Sequence, residues 1–278
     1  VMLVTGCEPD FPKPELIDGY RVLGVVADPP GIGPTDTVTL SLIEANGAEA
    51  QYEWSVCLIS LGSGFSFNCL DESLELPLDI SGPTATISLD EDGIDFFKTL
   101  ITGLTELSTD ETNQDGEKSE SDCGDACKGQ NGQDQTFLDI QFRIKSGPPN
   151  GRQIETVKLV RVHFDDAPRN RNPEFLSLEP TRMGPYEAQS IVQIDFAIDE
   201  GLTDDYTLAN GAMITEEPVI YWYSTSGSFY KEPTGGDKDE TKPISLASAE
   251  SVYFQLPSTA ADSTIKIWGV LRDGRGGM

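Results

Sequence analysis

Few residues in this chain of 278 are placed to do chemistry, and the cysteines come first. Val4-Thr5-Gly6-Cys7 is a short, small-residue run ending in Gly and Cys. It has the pattern of a bacterial lipobox, in which the Cys is acylated and becomes the first residue of the mature chain. Only six residues precede Cys7, too few for the charged and apolar regions of a signal peptide. Residues 1–6 are therefore expected to be the tail of such a peptide, cut from a longer chain.

Five cysteines is an odd number, and lipid on Cys7 leaves four, enough for two disulfides. Cys57 and Cys69 flank Leu61-Gly62-Ser63-Gly64, and Cys123 and Cys127 stand four apart in a polar stretch. Three pairings exist, and nearness in sequence favours Cys57–Cys69 with Cys123–Cys127. A zinc site competes poorly: Cys123-x-x-x-Cys127 has no second close pair, and the single histidine, His163, is far away in sequence.

The carboxylates raise calcium as a weak candidate, through Asp90, Asp92 and Asp95, or Asp199 with Asp204 and Asp205. An EF-hand loop placed on Asp92-Gly93 would begin at Ser88 and put Thr99 where a bidentate Glu belongs, so that pattern fails. The competing reading is a solvated turn leading into a helix N-terminus, where negative charge is favourable. With one histidine a Ser/His/Asp triad has little to build on, and His163 reads as a strand residue. No glycine-rich phosphate loop precedes a helix. In so acidic a chain any carboxylate pair is weak evidence for glycoside hydrolysis. The expectation is a protein that is not an enzyme and requires no cofactor.

The formal net charge is −28, from 19 basic and 47 acidic residues. Such an excess opposes nucleic acid or an anionic membrane as a partner through a basic patch. No run of about 18 apolar residues occurs, so no transmembrane helix is expected.

The elements that would carry these residues are strands. Residues 7–18 hold three prolines after the Cys and no hydrophobic period, and read as an extended tether. Residues 19–165 are expected to form a first domain. Val38, Leu40 and Leu42 alternate onto one face, as do Tyr52, Trp54 and Val56, and an inward Trp54 suits the centre of a two-sheet sandwich. Within residues 92–135 the period changes. Ile94, Phe97, Leu100, Ile101 and Leu104 predict an amphipathic helix, followed by an acidic loop, together an insertion. Residues 166–173 (Pro168 to Pro173 being P-R-N-R-N-P) are rich in breakers and polar, and read as a linker.

Residues 174–278 resemble the first block. Phe175 to Pro180 parallels the strand before Pro29-Pro30, Gly184-Pro185 parallels Gly33-Pro34, and Trp222 parallels Trp54 as a core residue. Asp199 to Glu217 reads as a longer acidic loop. The strand 264–271 leads into Arg272-Asp273-Gly274-Arg275-Gly276-Gly277, a turn that should open a partner strand, so the second copy is expected to lack its last strand.

VTGC, RVLGVVADPPGIGPTDTVTL, YWYSTSGSF and IWGVLRDGRGG together resemble lipoproteins of myxobacteria and related deltaproteobacteria with tandem Ig-like domains. The D-G-x-G-G turn is similar to the end of PKD-type modules. The resemblance leaves out 92–135; it implies a cell-envelope location and transfers no catalytic residue. The expected fold is all-β, two tandem Ig-like sandwiches. The expected function is a non-enzymatic outer-membrane lipoprotein, held by membrane lipid through Cys7, that presents these domains to an unknown protein or glycan for adhesion or scaffolding. Two alternatives are a subunit completed by a partner's strand and a carbohydrate-binding or hydrolytic surface protein, hinted at by Tyr221, Tyr223 and Tyr230.

Overall fold

The computed structural model describes residues 13–57, 60, 67–88, 137–164, 169–199, 205–207, 213–216, 218–230, 234–235, 251–258, 264–273 and 277–278. The expected sites at Cys7, at Asp90, Asp92 and Asp95, at Asp204 and at Cys123 and Cys127 lie outside these residues, as does the 92–135 insertion.

The first block contributes β1 (Arg21–Asp28), β2 (Gly31–Ile32), β3 (Thr37–Ala45), β4 (Gln51–Cys57), β5 (Glu75–Leu78), β6 (Thr84–Ser88), β7 (Phe137–Gly147) and β8 (Ile154–His163). They form two sheets, β1-β3-β6 and β2-β8-β7-β4-β5, with β2 parallel to β8 and the other pairs antiparallel. Alternation decides what each strand buries. Val38, Leu40 and Leu42 face Trp54, Leu138, Ile140, Phe142, Ile144, Val160 and Val162 across one continuous core. Trp54 is 2% exposed, and its indole N–H donates to the Gly82 carbonyl at 2.9 Å, so the one polar atom of a buried ring is satisfied.

The second block contributes β9 (Phe175–Pro180), β10 (Ile191–Ile198), β11 (Asp205–Thr207), β12 (Met213–Thr215), β13 (Val219–Ser224), β14 (Ser228–Phe229), β15 (Thr234–Gly235), β16 (Ser251–Gln255) and β17 (Ile267–Arg272). Its sheets are β14-β16-β10-β9 and β15-β13-β17, with β11 and β12 as a separate hairpin. Trp222 is 1% exposed and stacks between Phe196 (5.7 Å between centroids) and Phe229 (5.8 Å), which reaches Phe254 at 4.8 Å.

The two blocks share a strand plan. β1 pairs β3 and β3 pairs β6; β9 pairs β10 and β10 pairs β16. The strands that carry Trp54 and Trp222, β4 and β13, each lie between a short strand (β5 or β15) and a longer one (β7 or β17). Apart from one 3-10 turn at Glu72–Leu74, the described residues are all-β, a pair of Ig-like sandwiches. Beyond β7 the first block adds β8, whereas among the described residues no strand flanks the outer edge of β17.

Two segments differ from the sequence reading. The stretch expected as an acidic loop, 199–217, contains the β11–β12 hairpin, because Tyr206-Thr207 and Met213-Ile214-Thr215 are strand formers on either side of an Asn-Gly turn sequence. The end of the expected free tether is folded onto the protein. Leu16 bridges Ser224, and the amide of Ile17 donates to the Ser224 carbonyl at 2.8 Å. Ile17 is 3% exposed: an apolar residue close to a sheet gains more by burial than by staying extended in water.

Candidate functional site

The seam between the sandwiches is the most elaborate polar arrangement among the described residues, and it starts with a bulge. Along β1 the register against β3 shifts between Val22 and Gly24, leaving Leu23 as the extra residue. A bulge re-aims the side chains on either side of it. Val22, Val25 and Ala27 therefore serve the first core, while Leu23 turns away from it, into a third apolar cluster with Ile17, Ala45 and Val270.

That cluster joins the blocks. Ile43 from β3, Tyr223 from β13, Trp268 from β17 and Met278 pack around it. On β13 and β17 the inner positions (Ile220, Trp222, Leu271) fill the second core, and the alternate positions Tyr223, Trp268 and Val270 face the first sandwich. Arg21 lies over the Tyr223 ring, 5.0 Å to its centroid, and Arg272 lies over Tyr221 at 5.1 Å.

A polar belt surrounds the apolar contact. Arg272 donates to the Leu23 carbonyl at 2.8 Å, and Asn172 donates to the Ala27 carbonyl at 2.8 Å. Asp273, 4% exposed, accepts from Asn170 at 2.7 Å and from the Gly277 amide at 2.9 Å. The Met278 amide donates to Asn172 Oδ1 at 3.0 Å. Arg169 pairs with Asp36, whose carboxyl is held low by the Gly33 amide first and Arg169 second. The stretch read as a linker is thus a clamp: its Arg and Asn side chains tie β1, the β2–β3 turn and the end of β17 together.

Lys158, 8% exposed, shares the inner face of β8 with Val160 and Val162 at the end of the first core. Burial pushes its ammonium down to about 8; the Asp273 carboxylate opposes that shift and the Arg272 guanidinium adds to it. The seam therefore holds buried charge of both signs from both sandwiches. Its described side chains pack and hydrogen-bond across the junction, and so position the two sandwiches. Among the described residues no group of three His, Cys, Asp or Glu side chains is placed to hold a metal.

Beside the seam Tyr20, Arg21, Pro148, Arg152 and Ile154 line an open cleft of about 390 Å³. Tyr20 and Tyr52 both donate to the Glu44 carboxylate, at 3.1 and 2.7 Å. Burial first, and Glu44 after it, pushes the Tyr20 phenol up to about 12, so it is not a base or nucleophile near neutral pH.

Of the sequence-selected residues, Cys57 and Cys69 are joined in a disulfide with Cα atoms 5.7 Å apart. Within the segment it closes, Ser60 and Phe67 reach the outer face of β7. There Gln141, fully buried, accepts from the Ser60 hydroxyl at 2.5 Å and donates to the Phe67 carbonyl at 2.6 Å. His163 ends β8, its ring 6.5 Å from that of Phe137. The three tyrosines raised together separate: Tyr221 and Tyr223 belong to the seam, and Tyr230 lies on the opposite sheet. Lys158, Asn170, Asn172 and Asp273 were not singled out as site residues, because a charged residue in a strand or turn carries no signal that it will be enclosed by another domain. The Pro-bounded R-N-R-N run was the only hint.

No family model matches the chain, and no curated protein matches it. Among solved structures it is similar to Escherichia coli alpha-2-macroglobulin activated by porcine elastase, at 9% identity and a TM-score of 0.27, over 90% of this chain and 21% of that one. The chain thus spans about a fifth of that protein's length, and so slight a likeness bears on neither fold nor function.

Proposed function

We propose that this chain is a non-enzymatic, lipid-anchored protein of the bacterial cell envelope, an outer-membrane lipoprotein that presents two coupled Ig-like sandwiches for adhesion or scaffolding. The observation that carries the reading is the seam. Ile17 sits ten residues beyond Cys7 and is buried in the cluster that also holds Leu23 and Val270. An anchor on Cys7 would therefore lead straight to the junction and hold both sandwiches, rather than swing one of them on a loose hinge.

Chemistry supports the anchor. Each buried acyl CH₂ contributes about 0.8 kcal/mol, so two or three chains on Cys7 would hold the protein at a membrane for long times. A net charge of −28 keeps the presented surface soluble and repels anionic partners. The disulfide between Cys57 and Cys69 suits an oxidising compartment.

The test is intact-mass analysis of the full-length gene product purified from its native membrane. The expected species begins at a di- or triacylated Cys7. An unmodified chain that retains residues 1–6 would overturn the anchor, and with it the envelope assignment.

A further inference from the structure

The outer face of the β14-β16-β10-β9 sheet, turned away from the core of the second sandwich, presents an aromatic and amide surface. Cross-strand register sets it out in rows. Ser228, Gln255 and Ile191 are opposite one another on β14, β16 and β10, and Tyr253 is opposite Gln193. The Tyr230 amide donates to the Tyr253 carbonyl at 3.0 Å, which continues that second row onto Tyr230. Their neighbours Val192, Ile194, Phe229, Val252 and Phe254 point the other way and pack the core.

Tyr230 is 56% exposed, Tyr253 49% and Ile191 54%. Side chains directly opposite on adjacent strands have Cβ atoms about 5 Å apart, which sets Tyr230 and Tyr253 at facing positions on one face of the sheet. Gln193, opposite Tyr253, donates to Asp195 Oδ1 at 2.8 Å, which fixes its amide on that face.

We propose that this outer face of the β14-β16-β10-β9 sheet binds a neutral polysaccharide, with Tyr230 and Tyr253 as its platform and Gln193, Gln255 and Asp195 as its polar contacts. A pyranose has apolar C–H faces and a rim of hydroxyls. Exposed Tyr rings offer flat, amphipathic area to the first; the Gln amides both donate to and accept from the second, and the Asp195 carboxylate accepts from it. The strands β10, β14 and β16 carry no Lys or Arg, so a phosphate- or sulfate-bearing polymer finds no counter-charge there. On β10, β14 and β16 Ile191 is the one exposed large aliphatic side chain, while β9 at the sheet edge exposes Leu176 and Leu178; the strands that carry the tyrosines therefore lack the contiguous apolar centre a protein partner would want. The inference names a partner for the presentation proposed above and rests on that reading only for where the encounter takes place.

Affinity electrophoresis tests it, running the full chain through native gels cast with laminarin, xyloglucan, dextran or polygalacturonate. The expected result is retardation in at least one of the three neutral gels. Binding should weaken at least about tenfold in Tyr230→Ala/Tyr253→Ala. It should survive in Tyr230→Phe/Tyr253→Phe and in Met213→Ala, a control at an exposed site on the separate β11–β12 hairpin. Should the double Ala variant fail to fold by circular dichroism, Tyr230→Ala alone is the comparison. No retardation in any neutral gel, retardation only by polygalacturonate, or equal retardation of the wild type and the Ala variant would each overturn the proposal. None of these outcomes bears on the mass of the N-terminus, so the anchor and the platform fail separately.

Discussion

The guanidinium of Arg272 donates to the main-chain carbonyl of Leu23, 249 residues earlier, at 2.8 Å. Leu23 is the bulged residue of β1, and a bulge leaves a backbone group without a ladder partner. One side chain from the end of the second sandwich thus satisfies the irregularity that lets Leu23 leave the first core. Arg272→Ala would leave that carbonyl and the Tyr221 ring uncovered, at a cost of about 1–3 kcal/mol in urea unfolding of the full chain. Arg272→Lys should recover only part of it, since an ammonium cannot both lie flat on Tyr221 and reach the carbonyl. A midpoint unchanged in Arg272→Ala would mean that the seam is not held there.

Lys158 makes stability depend on pH in a stated direction. Its folded pKa is lowered to about 8 from the ordinary lysine value of 10.5, so between these two values the unfolded chain binds the proton and the folded one does not. Stability should therefore rise as pH goes from about 8 towards 10, and the penalty for the buried charge is fully present below 8. Tyr20 works the other way, since a phenol raised to about 12 costs stability only above the ordinary value of 10. Urea midpoints at pH 7.5, 8.5 and 9.5 should climb in the wild type and stay level in Lys158→Met; parallel curves would refute the assignment.

Gly269 is required by the close approach of two rings. A Cβ there would lie 3.1 Å from Trp222 Cζ3 and 3.4 Å from Phe175 Cζ. Gly269→Ala should cost about 1–3 kcal/mol by overpacking. In a Trp222→Phe background the same change should cost clearly less, because the ring edge it meets is gone. A double-mutant cycle by thermal or urea unfolding reads the difference, and strict additivity would contradict the packing described.

The Cys57–Cys69 bridge closes a segment of sequence separation 12, for which loop entropy predicts about 3 kcal/mol. Cys57→Ser/Cys69→Ser should lose about that much. It should also loosen the cover over Gln141, raising hydrogen exchange along the outer face of β7. Loss of stability with unchanged exchange at β7 would show that the bridge acts only on the unfolded chain.

Much of this could be read from residues alone. The period-2 pattern of Val38, Leu40 and Leu42 and of Trp54 with its neighbours was enough to place strands and choose their inner faces, because one side of a sheet must leave water. The repeat of a Trp-bearing strand foretold two sandwiches. Proximity in sequence was enough for Cys57 and Cys69, since a short segment brings its ends together whatever the rest of the chain does.

What alternation could not decide is the fate of the outer faces. Tyr221, Tyr223 and Tyr230 are equivalent in sequence as exposed-side aromatics. Tyr223 meets the first sandwich under Arg21, Tyr221 lies under Arg272 of its own sandwich, and Tyr230 stands in solvent opposite Tyr253. Leu23 illustrates the same limit, since an unbroken period would have sent it inward with Val25 and Ala27. By itself the sequence determined the strands, their inner faces and the local disulfide, because these depend on neighbours a few residues away. Only the tertiary structure decided the bulge, the docking of Ile17 and the burial of Lys158 with Asp273, because each depends on surface supplied by residues more than a hundred positions distant.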